Sequence, residues 1–294
     1  MRAEIAVESG DNIGEGAFWH PGLNRLFWLD VPPPSKLHIY DPVTGARETH
    51  DMPQMIASMR PWGPGLLIAA HAGLYRYDLA DRIFARVVAP EPDLPFNRCN
   101  DGGTDAEGRF WFGTMQNNIS PSATDIDLTE KSGTLYRLDP DLTLNAVDRD
   151  ILIANTLCFS PDNRTLYFCD TAEGAIRTYD YDLATGSATR RGALGSFDRG
   201  APDGSCVDAE GGVWNARWDG GCVVRFAPDG SVDWVIEVAA PKVTSVAFGG
   251  ADLDTLFITT ARWGGEAGGV DGHLFVASPG VRGMPVTSFA GAWT

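Results

Sequence analysis

The sequence predicts an all-β fold, a six-bladed β-propeller forming one domain over residues 1–294, and three observations predict it. An apolar strand core recurs six times, as LFWLD from Leu26, LLIAA from Leu66, FWFGT from Phe110, LYFCD from Leu166, VWNAR from Val213 and LFITT from Leu256, at separations of 40, 44, 56, 47 and 43 residues. A turn and a second apolar strand follow each core: KLHIYD from Lys36, GLYRYD from Gly73, GTLYRLD from Gly133, AIRTYD from Ala175, CVVRFA from Cys222 and HLFVAS from His273. Helix-period patterning is nearly absent. A strand-and-turn repeat of this length is the mark of a propeller blade, and the series lacks the polar end caps that an open solenoid needs.

The elements between the cores fit this plan. DAEG at Asp105 and again at Asp208, and SPDN at Ser160, supply tight turns before the cores. Ring closure is expected from Glu4–Val7 pairing with a last strand near Val286–Ala290. The wide third and sixth repeats carry insertions, Gln116–Lys131 and Arg262–Asp271, that should leave the blades as loops framing an entrance.

Composition narrows the function classes. Hydrophobic residues make up 44% and charged residues 21%, enough apolar content for a large core. The formal charge of −16 disfavours nucleic-acid binding, because a phosphate backbone would be repelled. No run of about 18 apolar residues occurs, so no membrane span is expected, and Met1–Gly10 does not read as a signal peptide. The five cysteines form no C-x-x-C pair, which suits free thiols in a reducing compartment and a cytoplasmic location. The sequence leaves the oligomeric state open. The five histidines show no ligand spacing, no G-x-S-x-G elbow is present, the acidic Asp125–Glu130 lacks the EF-hand pattern, and Gly264–Gly269 does not join a strand to a helix as a nucleotide loop would.

Register points to a site. The innermost strand of each blade should precede each core, so residues 10 to 12 positions upstream should share one level of the channel. These are Glu15, Met55, Asn100, Asn155, Asp203 and Thr244. Four of them carry carboxylate or amide oxygens in otherwise apolar, glycine-rich strands. Such groups are costly to bury unsatisfied. An all-oxygen set suits a hard divalent cation such as Ca²⁺, Mg²⁺ or Mn²⁺, with Zn²⁺ or Fe²⁺ less suited in the absence of His or Cys; a water-filled polar channel is the alternative. Met55 and Thr244 are expected as pocket wall. Asp101 should point away from the channel, because strand side chains alternate.

The motifs GEGAFWH from Gly14, NRCNDGGTDAEGRFWFGTM from Asn97, IANTLCFSPDNRTLYFCDT from Ile153 and PDGSCVDAEGGVW from Pro202 together resemble the regucalcin/gluconolactonase family, especially its bacterial sugar lactonases. The resemblance implies one divalent metal, most often Ca²⁺, held by Glu15, Asn155 and Asp203, with Arg98 and Asn100 contacting substrate. It implies hydrolysis of a C5 or C6 aldonolactone (gluconolactone-, xylonolactone- or arabinonolactone-like), the substrate being a small-molecule sugar lactone. Asp203 is the candidate base that accepts the proton of the attacking water, and Asn118 is a candidate hydroxyl partner. Two departures stand out. Thr156 replaces the family's usual glycine after the fourth-blade Asn and is expected to narrow the pocket or alter the strand entrance, and Asn118 lies where some members carry an acid. A broader esterase or phosphotriesterase-like activity and a non-catalytic calcium-binding propeller are the alternative readings.

Overall fold

The computed structural model describes residues 1–265 and 269–293; the insertion expected at Arg262–Asp271 lies partly outside them. Six four-stranded antiparallel sheets form the blades of a β-propeller. The first strands are Gly14–His20, Ile56–Trp62, Asn97–Thr104, Ala154–Phe159, Ala201–Val207 and Val243–Gly249 in blades one to six. First strands of neighbouring blades pack against one another around the ring, so they line the central channel. The sequence repeat supplies the second strands (Arg25–Asp30, Gly65–Ala70, Phe110–Gln116, Thr165–Asp170, Val213–Trp218 and Thr255–Thr260) and the third strands that follow them.

The second strands are nearly continuous apolar runs because both of their faces are covered by adjacent blades. Trp28, Trp111 and Trp214 are wholly buried at their centres. A buried indole removes ~150–250 Å² from water, worth about 4–6 kcal/mol at roughly 25 cal/mol per Å². Each indole N–H also meets a buried carboxylate: Trp28 donates to Asp11 at 2.9 Å, Trp111 to Asp105 at 3.0 Å and Trp214 to Asp208 at 2.7 Å. The repeated DAEG turns therefore anchor the blades. Asp105 also accepts from the N–H groups of Glu107 and Arg109, the Arg109 guanidinium and the Tyr181 hydroxyl.

Ring closure differs from the sequence expectation in its partner. Glu4–Val7 is the outermost strand of blade six and pairs with Leu274–Ala277, Glu4 opposite Val276. Residues 286–290 form no strand. They cross the far ends of the first strands in blades two and three, where the Phe289 N–H donates to the Pro61 carbonyl at 2.8 Å and Ala290 to Gly108 at 2.9 Å. Phe289 and Trp293 pack edge-on against Trp62. Aromatic burial, not strand pairing, holds this tail down.

Candidate metal centre and substrate pocket

Every first strand carries an irregularity at the same level of the channel. The pairing register slips between Glu15 and Phe18, Ile56 and Ser58, Cys99 and Gly102, Asn155 and Leu157, Pro202 and Ser205, and Val243 and Ser245. A β-bulge re-aims side chains that strict alternation would send outward. Beside the bulges of blades one, three, four and five, Glu15, Asn100, Asn155 and Asp203 line one pocket.

A cavity of about 230 Å³ opens at this level, and its lining includes Glu15, Arg98, Asn100, Asn118, Asn155 and Asp203. These six of the residues nominated from sequence thus share one pocket. Thr171 and Trp218, which the sequence reading missed, also line it, with Ile13, Met115, Ile119 and Ile153 as part of its apolar wall. Thr171 opens the turn after the second strand of blade four, and a hydroxyl directly after the LYFCD core was the available signal. Met55 and Thr244 are not in the wall. Met55 is packed in the core beneath blade one, and the Thr244 hydroxyl donates to the Gly14 carbonyl at 2.5 Å.

A chain of polar contacts spans blades three to five. Arg98 donates to Asn100 Oδ1 at 2.5 Å and to Asn118 Oδ1 at 2.9 Å. Asn100 Nδ2 donates to Asn155 Oδ1 at 3.0 Å, Asn155 Nδ2 to the Thr171 hydroxyl at 2.8 Å, and Thr171 to the Pro202 carbonyl at 2.9 Å. This chain orients every amide in the pocket and leaves two buried polar atoms over. Among the described residues, Arg98 Nε and Asp203 Oδ1 find no hydrogen-bond partner. Leaving such atoms unpaired costs ~1–3 kcal/mol each, more for charged groups, so a ligand is the economical explanation.

The electrostatics point the same way. Burial pushes the Glu15 carboxyl up to about 8, with the Asp101 charge adding to the shift. Burial, then the neighbouring charges of Glu15 and Asp101, pushes Asp203 well above the usual carboxylate range. Asp101 is itself raised by burial to about 6, against the pull of Arg60. Asp101 does not line the pocket. The pairing register slips between Cys99 and Gly102, and the Gly102 N–H donates to the Asp101 carboxylate at 2.7 Å. Burial lowers Arg98 to about 10, which keeps it charged at neutral pH.

Glu15 and Asp203 are acids forced together in a dry ring, and a divalent cation would relieve both the desolvation and the repulsion. Among the described residues, no three His, Cys, Asp or Glu side chains gather as a ready metal cluster. A cation would rest on two carboxylates, the Asn155 amide oxygen and water, a donor set suited to a hard ion. The orphaned Asp203 oxygen fits that role.

Residues 13–262 match the family model described as SMP-30/Gluconolactonase/LRE-like region. The chain belongs to this family. Within it, the chain is 38% identical to the pentonolactonase XacC of Haloferax volcanii, covering 93% of this chain and 89% of the relative. It is 32% identical to the 6-deoxy-6-sulfogluconolactonase of Pseudomonas putida, covering 98% of each. Among solved structures, the calcium-binding protein regucalcin of Agrobacterium tumefaciens superposes with a TM-score of 0.89 at 29% identity, covering 98% of this chain and 97% of that one. Among the described residues, no helix is long and apolar enough to cross a membrane.

Proposed function

We propose that this chain hydrolyses a C5 or C6 aldonolactone to the open sugar acid, using one divalent cation cradled by Glu15, Asn155 and Asp203. The observation that carries the reading is the unpartnered, buried Asp203 Oδ1 beside a second raised carboxylate, in a pocket that also leaves Arg98 Nε free. The lactonase names of the two curated relatives support the reaction class, and the calcium-binding description of the solved relative supports Ca²⁺ as the first cation to test.

When bound, the cation would supply Lewis-acid polarisation of the lactone carbonyl and neutralise the paired acids. The protein's own groups do the rest. Arg98 offers a fixed donor at Nε to the carbonyl or a ring hydroxyl. Asn118, held by Arg98, presents its amide to a further hydroxyl. Ionised Asp203 takes a proton from water as the water oxygen bonds to the carbonyl carbon. The same proton then passes to the ring oxygen as its bond to that carbon breaks, giving a hydroxy acid. Ile119 and Ile153 form part of the pocket's apolar wall. The reducing-compartment reading of the thiols supports a cytoplasmic setting.

The test is hydrolysis of an aldonolactone panel, with aryl esters alongside, before and after chelation and with Ca²⁺, Mn²⁺, Zn²⁺ or Fe²⁺ restored. Turnover that vanishes on chelation and returns with one cation is the expected result. A folded protein that binds Ca²⁺ without turning over any lactone would instead be a calcium-binding propeller, and preference for aryl esters would indicate a broader esterase.

A further inference from the structure

Within the strand Ala154–Phe159, Thr156 adopts φ 50°, the one β-branched side chain at positive φ among the described residues. That backbone region is sterically costly for a branched side chain. Blade one uses the same conformation directly after Glu15, but there the residue is Gly16 at φ 61°, where a Cβ would lie 3.2 Å from the Ala57 carbonyl oxygen. Two equivalent bulges therefore meet one backbone demand with opposite residues. Strain of this kind persists where surrounding contacts over-determine it.

The contacts around Thr156 are specific. The residue is wholly buried, and it does not line the pocket, so it does not narrow the cavity. Its hydroxyl donates to the Asp203 carbonyl at 2.5 Å and lies 2.8 Å from Ser205 Oγ. Asn215, also wholly buried, donates to that carbonyl at 3.0 Å and to Thr156 Oγ1 at 3.3 Å. The arrangement recurs around the ring. Ser58 of blade two donates to the Asn100 carbonyl of blade three at 2.8 Å, and Thr244 of blade six to the Gly14 carbonyl of blade one at 2.5 Å. In alternate blades, a hydroxyl at the bulge ties down the main chain at the next blade's bulge.

We infer that Thr156 is a positioning residue whose hydroxyl fixes the Asp203 backbone and so aims the Asp203 carboxylate into the cavity, the strained φ being retained for that contact. This rests on Asp203 being the cation-holding, proton-accepting residue proposed above. Glycine at 156 removes both strain and hydroxyl, valine keeps the branched shape without the hydroxyl, and serine keeps the hydroxyl with less crowding.

The full-length variants Thr156→Gly, Thr156→Val and Thr156→Ser would be compared with the unsubstituted protein. The readouts are melting temperature, Ca²⁺ affinity by calorimetry after chelation, and kcat and KM on gluconolactone. Thr156→Gly should melt at the same or a higher temperature, yet bind Ca²⁺ about ten-fold more weakly and lose about ten-fold in kcat, the usual size of an effect on a ligand's supporting contact. KM should move little. Thr156→Val should repeat those losses and decides the matter if the glycine variant folds poorly; Thr156→Ser should restore both readouts. Unchanged Ca²⁺ affinity and kcat in Thr156→Gly or Thr156→Val would overturn the inference while leaving the lactonase reading intact. An unsubstituted protein that binds Ca²⁺ without turnover would discard the lactonase reading but leave this inference standing on the affinity shift. A protein that neither binds nor hydrolyses sinks both.

Discussion

Asp203 and Asp208 lie five residues apart, one near the start of the Ala201–Val207 strand and the other just past its end, and both are buried. Asp208 is saturated: it accepts from the Glu210 and Gly212 N–H groups, the Trp214 indole and the Arg225 guanidinium. Asp203 keeps an oxygen without a hydrogen-bond partner among the described residues and faces a second acid. One strand thus carries a carboxylate that the fold completes and one that it leaves incomplete. Burial alone does not separate a structural acid from a functional one; unspent hydrogen-bonding capacity does.

The sharpest way to break the contrast is to neutralise each acid. Asp203→Asn should lower kcat by ~10²–10⁴-fold, the usual contribution of a positioned base, with little change in melting temperature. A metal-loaded Asp203→Asn with unchanged kcat would remove Asp203 from the proton-accepting role. Asp208→Asn should do the reverse, losing about 1–3 kcal/mol of stability as a buried charged acceptor is removed while Arg225 keeps Asp233 and Glu210, and kcat per folded molecule holds; chemical denaturation beside single-substrate kinetics reads both.

A smaller effect is expected at Arg98. Arg98→Lys cannot reproduce the planar fork on Asn100 and Asn118, and a rise in KM of roughly 10–100-fold corresponds to losing charged hydrogen bonds.

The comparison sharpens further with pH in chelated protein. Glu15 has its ordinary value of 4.5 when unfolded and about 8 when folded. Between those values the folded state binds more protons than the unfolded state, so stability should fall as pH rises through this window, the penalty being complete above it. Glu15→Gln should flatten the melting-temperature profile from pH 5 to 8, and Ca²⁺ should do the same without mutation; a profile identical in Glu15→Gln and the unsubstituted protein would contradict the assignment. The smallest effect belongs to the exposed Arg199–Glu237 pair at 2.7 Å, where Glu237→Gln should cost at most about 1 kcal/mol in denaturant titration.

The legible parts of the fold were those with a strong apolar signal. The second strands read clearly because blades cover them on both faces, as in LFWLD and FWFGT. The outer strands did not: Arg47–Asp51 and Ser187–Ala193 are polar and largely exposed, so nothing in RETHD or SATRRGA marks a strand except the edge it pairs with. The pocket was legible through Glu15, Asn155 and Asp203 because oxygen donors stood at matching steps of the repeat. The bulges themselves were not legible, because a bulge such as that between Cys99 and Gly102 is set by pairing that one strand's sequence does not contain. The same is true of ring closure, where Glu4–Val7 was identified but its partner was not.

That closing strand has a consequence for how the chain is made. Glu4–Val7 leaves the ribosome before any of the blades, yet its pairing edge at Leu274–Ala277 is synthesised only after five of them. Five blades can assemble in order from local hairpins during synthesis, while the leading segment waits. The ring then shuts in a single late event that joins a segment made before the first blade to one made with the last, and until that moment the third strand of blade six presents a bare edge.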